Sequence, residues 1–453
     1  MSAGIVVIGG QASGLAAAVQ ARRRNSTVPV TVLEASPHAG TGVCGLPFLF
    51  TGEVASPGDL VLHRPEDLER HYRVRVRTGH RVTSVHPGRR VVRCALEGGG
   101  ESDVPYDRLV LAAGARAAVP PEAAAAGPDG VFTLRTLSDA APLLVFLSER
   151  RPRSVLVLGG GTLGIEMADV FARRGLEVTL VEREASLLPA WEPELALRAS
   201  SVLAQRGVRP APGSVVRELG HSGGAFHCRL GTGERISADF VFCACGVRPE
   251  TAFLADLPLR FHPSGAVVVD ARMETSVAGI YAAGDFAAAP SRPSGAPAPA
   301  NTAVRAALTG GVAGDNAAGY DSRGGQWADA WCLRLSGLEL AAAGVTGASA
   351  RGCGLRAETV SIRAPLAPPY FRDRAGAAAV VGVFDTARGT LLGAHAAGPA
   401  GTAALVQPAV PLIAQEATAR EILGMEFPYT PPLGTVRHPL QQLARLFLKT
   451  AGG

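Results

Sequence analysis

The chain has 453 residues, of which 47% are hydrophobic and 18% are charged. This balance excludes a disordered or fibrous protein, and the length predicts about two to four domains. The net charge of +5 comes from arginines scattered along the chain, with Lys449 as the only lysine, so we expect neither a nucleic acid nor a membrane as partner, although anionic small ligands are favoured.

The seven cysteines are odd in number and form no Cys-x-x-Cys pair. A disulfide framework or zinc site is therefore not expected, and the histidines show no metal-ligand spacing. The N-terminal apolar run breaks at once into glycines, which is typical of a strand rather than a signal peptide. No apolar run is long enough to span a membrane. The sequence predicts a cytoplasmic protein without a metal site.

Residues 4–34 predict a strand, a glycine turn, an Ala-rich helix and a second strand that ends in Glu34. In such a βαβ unit the glycines let the backbone approach a pyrophosphate, which the N–H groups of the helix start bind. The terminal carboxylate accepts hydrogen bonds from ribose hydroxyls. The loop reads Gly9-Gly10-Gln11-Ala12-Ser13-Gly14, and we interpret it as a dinucleotide site.

Residues 154–182 repeat this pattern about 150 residues later. Gly159, Gly161 and Gly164 complete the G-x-G-x-x-G fingerprint, and Glu182 closes the second strand. An acid at this place repels a 2′-phosphate, so NADH is favoured. Arg183 could accommodate that phosphate, which leaves NADPH open. Two dinucleotide sites in one chain are most simply explained by a bound flavin and an exchanging nicotinamide.

Cys44 lies in the segment Gly42-Val43-Cys44-Gly45-Leu46-Pro47, ten residues after Glu34. We expect this segment to enter a helix, where a thiol has a lowered pKa and is a better nucleophile. Cys44 would then accept the electrons of the flavin. The alternative is a buried, inert cysteine.

The rest of the chain continues the same organisation. Residues 71–97 alternate apolar and polar side chains and predict short antiparallel strands. Buried strands are expected in 106–115, 238–247 and 279–287, a loop in 289–300 and a helix in 301–319. From about residue 327 the pattern changes to β-type runs and a helical stretch near 401–424, which indicates a third domain.

Several of these segments resemble the pyridine nucleotide-disulfide oxidoreductases over essentially the whole chain. YDRLVLAAGA (106–115), ADFVFCACGVRPET (238–251) and METSVAGIYAAGD (273–285) are similar to family motifs, the last of which ends in an acid that contacts the ribityl chain, here Asp285. A single cysteine followed by Gly-Leu-Pro resembles the branch that contains coenzyme A-disulfide reductases, NADH oxidases, peroxidases and persulfide reductases.

The resemblance implies an α/β fold with two Rossmann-like domains and a C-terminal α+β dimerisation domain. The expected boundaries are 1–118 with 250–325 for FAD, 119–249 for NAD(P) and 326–453 for dimerisation. The residues expected to bind FAD are Gly9, Gln11, Ala12, Ser13, Gly14, Glu34, Ala35, Val82, Ala113, Gly114, Asp285 and Ala303. Those expected to bind NAD(P) are Gly159, Gly161, Thr162, Leu163, Gly164, Glu182, Arg183 and Gly246.

The tail FPYTPPLGTVRHPL (427–440) is similar to a segment that approaches the cysteine of the partner in the family's homodimer. The resemblance therefore implies that Tyr429 acts across a dimer. Tyr370 resembles a second tyrosine near the disulfide, although Phe371 could be the matching residue. Arg22 and Arg23 match an arginine pair that binds the nucleotide end of coenzyme A.

The sequence departs from the family pattern near the cysteine and the nucleotide loops. Gly40 and Val43 replace a serine and an asparagine, and Thr162 replaces an aromatic residue that shields the flavin. Gln11 and Ala12 stand where the peroxidases and oxidases carry a histidine, which argues against peroxide reduction. The exchange of a threonine for Ala113 is mild.

These features predict an FAD-dependent NAD(P)H oxidoreductase that reduces a small-molecule disulfide, related to coenzyme A disulfide, or a persulfide through Cys44. An NADH oxidase in which Cys44 forms a sulfenic acid is the alternative within the class. A flavoprotein reductase that serves a partner redox protein, with Cys44 incidental, is the alternative from another class.

Overall fold

The computed structural model describes residues 3–292, 294–299, 302–325, 327–371 and 376–450. The elements of the first segment are β1 (Ile5–Ile8), α1 (Ala12–Arg24), β2 (Val30–Leu33), α2 (Leu46–Thr51), α3 (Pro65–Tyr72), β3 (Arg75–Arg77), β4 (His80–His86), β5 (Val91–Leu96), β6 (Glu101–Pro105), β7 (Arg108–Leu111) and β8 (Arg116–Ala117). The next elements are α4 (Pro121–Ala125), β9 (Val131–Phe132), α5 (Leu137–Arg150), β10 (Ser154–Leu158), α6 (Thr162–Arg173), β11 (Glu177–Val181), α7 (Pro193–Gln205), β12 (Arg209–Ala211), β13 (Val216–Ser222), β14 (Ala225–Leu230), β15 (Arg235–Ala238), β16 (Phe240–Cys243) and β17 (Val247–Arg248).

The chain then continues with β18 (Val267–Val268), β19 (Ile280–Ala282), β20 (Ala287–Pro290), β21 (Pro297–Pro299) and α8 (Ala303–Ala317). The last elements are β22 (Ala330–Leu335), β23 (Leu338–Gly344), α9 (Gly347–Gly352), β24 (Ala357–Pro365), β25 (Ala377–Asp385), β26 (Leu391–Gly398), α10 (Ala409–Ala414), α11 (Ala419–Gly424) and α12 (Pro439–Thr450).

Two parallel sheets contain the two βαβ units. The first has the strand order β19-β7-β1-β2-β3, and the second has the order β12-β11-β10-β16-β9. The central strands β1 and β10 are apolar and almost entirely buried, as parallel strands covered on both faces must be. Each parallel sheet is accompanied by a small antiparallel sheet, β4-β5-β6 in the first case and β13-β14-β15 in the second. The mixed α/β class expected from the sequence is confirmed.

Helix α8 packs closely on helix α1 and thereby fixes the helix that follows the first glycine loop. A Cβ atom at Gly310 would lie 2.2 Å from the carbonyl oxygen of Ser13, and one at Gly314 would lie 2.2 Å from that of Ala17. Only glycine allows this approach. The contact therefore joins the segment after residue 250 to the first nucleotide unit.

The C-terminal part is an antiparallel sheet with the order β22-β23-β26-β25-β24, covered by short helices and by α12. The helix predicted near 401–424 is interrupted, because Glu416 has a positive φ of 55° and Thr418 caps a new helix through its side chain. The loop predicted for 289–300 also differs, since Pro297–Pro299 pairs with Ala287–Pro290 as short antiparallel strands. Within the described residues, no helix is both long and apolar enough to cross a bilayer.

Candidate active site

The two glycine loops are tied to their sheets by equivalent hydrogen bonds. Glu34 accepts from the N–H of Gly10 at 2.6 Å and from that of Ser36 at 2.8 Å. Glu182 accepts from the N–H of Gly160 at 2.6 Å and from that of Glu184 at 2.8 Å. Both carboxylates are buried. The sequence repeat is therefore also a repeat of side-chain function, in which each acid holds its own glycine loop.

The helices after the two loops begin without a side-chain cap. Neither Gln11 before α1 nor Gly161 before α6 caps the first N–H groups, whereas Thr136 before α5 and Thr302 before α8 do so. Uncapped N–H groups at a helix start form an anion site. Both loops therefore have the donors that the pyrophosphate of FAD or NAD(P) requires.

The backbone at the first loop passes too close to its surroundings for a side chain. Gly9 has φ +102°, and a Cβ atom there would lie 2.2 Å from the carbonyl oxygen of Ala112. A Cβ atom at Gly14 would lie 1.8 Å from the carbonyl oxygen of Gly9. Gly14 thus lies beneath the loop and shapes it, which is the physical reason for the third glycine of the motif.

The first loop opens into a cleft that brings most of the predicted flavin residues together. The residues that line it include Gly9, Gln11, Ala12, Ser13, Glu34, Cys44, Ala113, Gly114, Asp285 and Ala303. Gly14, Ala35 and Val82 do not line the cleft. Val82 was expected to bind FAD, but its half-buried side chain packs against the apolar core beneath the first sheet.

Arg135 is a cleft residue that the sequence analysis missed. Its guanidinium forms an ion pair with Asp285 and donates a 3.3 Å hydrogen bond to the carbonyl oxygen of Ala115. The pair joins residues 150 positions apart, so no local pattern reveals it. Asp285 is almost fully buried, and Arg135 places a positive charge beside it.

Gln11 connects the first glycine loop to the segment that leads to Cys44. Its Oε1 atom accepts from the N–H of Thr41 at 3.0 Å and from the Thr41 hydroxyl at 2.7 Å. Its Nε2 atom donates to the carbonyl oxygen of His38 at 2.9 Å. Gln11 therefore does more than replace a histidine, because it fixes the position of the cysteine segment.

Cys44 is exposed at the cleft and lies in a single helical turn, Val43–Gly45, just before α2. Although the residue as a whole is exposed, desolvation by the surrounding chain raises the pKa of the Cys44 thiol, the charge of Glu166 raises it further, and the charge of Arg135 lowers it. The expectation of a pKa lowered by a helix start is therefore wrong for this chain. Desolvation and a nearby carboxylate raise the pKa of Cys44 by more than the start of a single helical turn lowers it.

The second loop opens into a cleft of about 940 Å³. Gly159, Gly161, Glu182, Arg183 and Gly246 line it as expected, whereas Thr162, Leu163 and Gly164 do not. A Cβ atom at Gly164 would lie 1.8 Å from the carbonyl oxygen of Gly159, so Gly164 shapes the second loop as Gly14 shapes the first. Arg116 and Arg248, which no sequence motif marks, face each other on β8 and β17 and add positive charge to the cleft.

The remaining predicted site residues lie on other surfaces. Tyr370 and Tyr429 are exposed and share a side-chain hydrogen bond, which raises the pKa of Tyr429. Neither lines the cleft of Cys44 in the same chain. Arg22 donates to the carbonyl oxygen of Val28 at 2.6 Å, and Arg23 lies over the ring of Tyr72. Arg22 therefore also supports the turn before β2.

The family model for pyridine nucleotide-disulphide oxidoreductases matches residues 3–307 of the chain. The chain belongs to this family. The resemblance proposed from the sequence motifs is thus confirmed, and FAD and a nicotinamide dinucleotide are the cofactors of this oxidoreductase. The first cleft carries the features that suit FAD, and the second carries those that suit NAD(P).

Relatives in this family match the chain almost from end to end. An NADH oxidase of Methanocaldococcus jannaschii is 27% identical over 446 residues, which cover 98% of both chains. A CoA-dependent NAD(P)H sulfur oxidoreductase of Pyrococcus abyssi is 29% identical and covers 98% of this chain and 97% of its own. The solved structure of an NAD-dependent persulfide reductase from A. fulgidus has a TM-score of 0.93 and 26% identity, covering 99% of this chain and 84% of that one.

Proposed function

We propose that the enzyme reduces a small-molecule disulfide or persulfide, related to coenzyme A disulfide, at the expense of NAD(P)H and through Cys44. The observation that carries this proposal is the position of Cys44 in the same cleft as the flavin loop, which Asp285, Arg135 and Ala303 also line. The names of the sulfur-reducing relatives support it.

When bound, FAD would accept a hydride from NAD(P)H and supply two electrons to a disulfide of Cys44. The residues of the chain bind the cofactor and orient the segment that carries the reacting cysteine. Uncapped N–H groups at the start of α1 would hold the pyrophosphate, and Gln11 fixes the cysteine segment through Thr41 and His38. The Cys44 thiolate attacks the sulfur of the incoming disulfide, a mixed disulfide forms, and one thiol leaves.

Tyr429 of a second copy of the chain donates a proton to the departing thiolate. This part of the proposal is supported by the exposure of the Tyr370–Tyr429 pair and by its absence from the cleft of its own chain. A phenol, with an ordinary pKa of about 10, can donate a proton to a departing thiolate, whose thiol has a pKa of about 8.5. The hydrogen bond with Tyr370 raises the pKa of Tyr429 and so keeps the phenol protonated until the thiolate departs. Arg22 is half-buried and Arg23 is exposed at the end of α1, where the nucleotide end of coenzyme A would meet positive charge.

The test of Cys44 is a Cys44→Ser variant, with Cys353→Ser, another exposed free cysteine, as the matched control. Cys44→Ser should keep FAD and still be bleached by NADH, but lose turnover of coenzyme A disulfide. Cys353→Ser should retain both. Full disulfide turnover by Cys44→Ser would refute the proposal. Mass spectrometry of the unreduced protein identifies the group carried by Cys44.

The role of Tyr429 is tested by complementation. A heterodimer of Cys44→Ser and Tyr429→Phe protomers contains one intact site only if the cysteine and the tyrosine come from different chains. Random reassociation of equal amounts of the two variants makes about half of the dimers mixed, each with one intact site of two, so the mixture should recover about a quarter of the wild-type activity. If the two residues act within one chain, every site of the mixed dimer carries a defect and activity stays low.

An NADH oxidase is the second candidate, and the Methanocaldococcus relative favours it by name. Consumption of NADH under argon, with and without coenzyme A disulfide, separates the two. A disulfide reductase should turn over without oxygen, whereas an oxidase should stop once its bound oxidant is used.

A further inference from the structure

The chain crosses from the sheet of the first glycine loop to the sheet of the second in β8, and it returns in β17. The two crossings pair as antiparallel strands, and the N–H of Ala118 extends the pairing with a 2.9 Å hydrogen bond to the carbonyl oxygen of Gly246. Gly114 and Ala115, just before β8, line the flavin cleft, whereas Arg116 lines the cleft of the second loop. This crossing ribbon, β8 with β17, therefore lies between the two clefts.

The crossing ribbon places two positive charges side by side. Arg116 and Arg248 are directly opposite each other in the register of the pair, and both are exposed. Side chains of directly opposite residues lie on the same face of a ribbon, with Cβ atoms about 5 Å apart. Like charges in this position destabilise the pairing of the strands. The arrangement therefore gives no advantage to the protein without a ligand.

The carboxylates of the second cleft do not neutralise this pair. Glu182 accepts from two backbone N–H groups of its own unit, and Glu184 forms an ion pair with Arg183. Glu122 of α4 is the third carboxylate that lines the cleft. Within the part of the chain that the structure describes, Glu122 forms no ion pair, and neither arginine of the crossing ribbon has an ion pair or a hydrogen bond. Both guanidinium groups are therefore available to an anion in the cleft.

The second glycine loop lies next to the chain that leads into the ribbon. A Cβ atom at Gly159 would lie 2.5 Å from the carbonyl oxygen of Ala244. Arg248 follows Ala244 by four residues, a length of chain that spans at most about 14 Å. The uncapped N–H groups at the start of α6 supply donors on one side of the cleft. The two guanidinium groups supply donors on another side, with the paired N–H groups that suit phosphate oxygens.

We propose that Arg116 and Arg248 bind the phosphate of NAD(P)H that adjoins the nicotinamide ribose, and so hold the nicotinamide end toward the flavin cleft. A dinucleotide whose diphosphate lies on the second loop must extend past the crossing ribbon to reach the flavin. The phosphate on that side is the one that the ribbon meets first. Its negative charge also offsets the repulsion between the two guanidinium groups. Both arginines are positioning residues, and their role is the same whether the enzyme reduces a disulfide or oxygen.

The test uses two ligands that differ in this phosphate and cannot reduce the flavin. ADP-ribose carries both phosphates of the coenzyme, whereas adenosine monophosphate carries only the one on the adenosine side. Calorimetry on the FAD-loaded protein gives both dissociation constants. Arg116→Gln and Arg248→Gln should each weaken ADP-ribose binding about tenfold, the usual size of one charge-assisted hydrogen bond, and leave adenosine monophosphate within about twofold. Arg248→Lys should bind ADP-ribose more tightly than Arg248→Gln, because it retains the charge.

The matched control is Arg420→Gln, an exposed arginine on α11 outside the cleft, which should bind both ligands as the wild type does. Thermal unfolding of the FAD-loaded protein without a ligand supplies a second measurement. Neither glutamine variant of the ribbon should unfold at a lower temperature than the wild type, because each removes a like-charge contact. Unchanged ADP-ribose binding, or a lower unfolding temperature, would show that the arginines support the ribbon and would overturn the proposal. Equal weakening of both ligands would overturn the assignment to the nicotinamide-side phosphate.

Discussion

The backbone N–H of Gly10 donates a 2.6 Å hydrogen bond to Oε2 of Glu34, which ties the first glycine loop to the end of β2. The same bond joins Gly160 to Glu182 in the second unit. In each unit the acid stabilises the loop conformation before a nucleotide is bound, and its second oxygen holds the chain just after the strand. A carboxylate with two backbone donors keeps its place without a ligand.

These hydrogen bonds predict that Glu34 supports the binding of FAD and that Glu182 supports the binding of NADH. Glu34→Ala leaves the N–H groups of Gly10 and Ser36 without an acceptor, which costs about 1–3 kcal/mol for a buried donor. The variant should lose FAD during gel filtration and unfold at a lower temperature. Glu182→Ala is the matched control, because it removes the equivalent bonds from the other domain. It should keep FAD and bind NADH more weakly. Equal FAD retention in both variants would contradict the assignment.

The sequence predicted the parts of the site that are local in the chain. The glycines, the helices after them and the acids that end the second strands follow from strand–turn–helix spacing within about 30 residues. Contacts such as Arg135 with Asp285 join segments far apart in sequence, and spacing does not reveal them. The pKa of Cys44 was predicted in the wrong direction, because burial and Glu166 are properties of packing.

Gln11 gives a prediction about the cysteine segment. Gln11→Ala removes three hydrogen bonds to Thr41 and His38, so the segment before Cys44 should become less ordered. A displacement of a reacting group by about 1 Å can lower the rate of the catalysed reaction about 10²-fold. We expect disulfide turnover to fall at least tenfold while FAD stays bound, since the N–H groups of α1 remain.

The control for Gln11 is Gln20→Ala on the same helix, whose side chain bonds to Asp315 away from the cleft. Hydrogen exchange of residues 38–45 should rise in Gln11→Ala and stay unchanged in Gln20→Ala. Wild-type turnover by Gln11→Ala would mean that the contact does not position Cys44.

We expect Arg135 to affect the pH at which the Cys44 thiol ionises and reacts. Its positive charge lowers the pKa of Cys44, while burial and Glu166 raise it. Arg135→Leu removes the favourable charge and leaves Asp285 unpaired, so the thiolate should become less stable. The midpoint of Cys44 alkylation should therefore move to higher pH. Peptide-resolved mass spectrometry gives the rate for Cys44, with exposed Cys353 of the same protein as an internal reference. A shift to lower pH would refute this account.

We expect Arg183 to determine whether the enzyme prefers NADH or NADPH. The carboxylate of Glu182 already accepts from the N–H groups of Gly160 and Glu184. Among the residues that the structure describes, the exposed guanidinium of Arg183 pairs with Glu184 alone, at 3.1 Å. Arg183 can therefore turn toward a 2′-phosphate at little cost, since an exposed ion pair contributes about 0–1 kcal/mol. Arg183→Ala should raise the KM for NADPH about tenfold and leave that for NADH within about twofold, because only NADPH carries the phosphate.

Glu184→Gln, which frees Arg183 and removes a negative charge, should lower the KM for NADPH. Steady-state kinetics with both coenzymes and a fixed disulfide concentration measure the two ratios. Equal effects on NADH and NADPH in Arg183→Ala would show that the guanidinium supports the loop and does not read the phosphate.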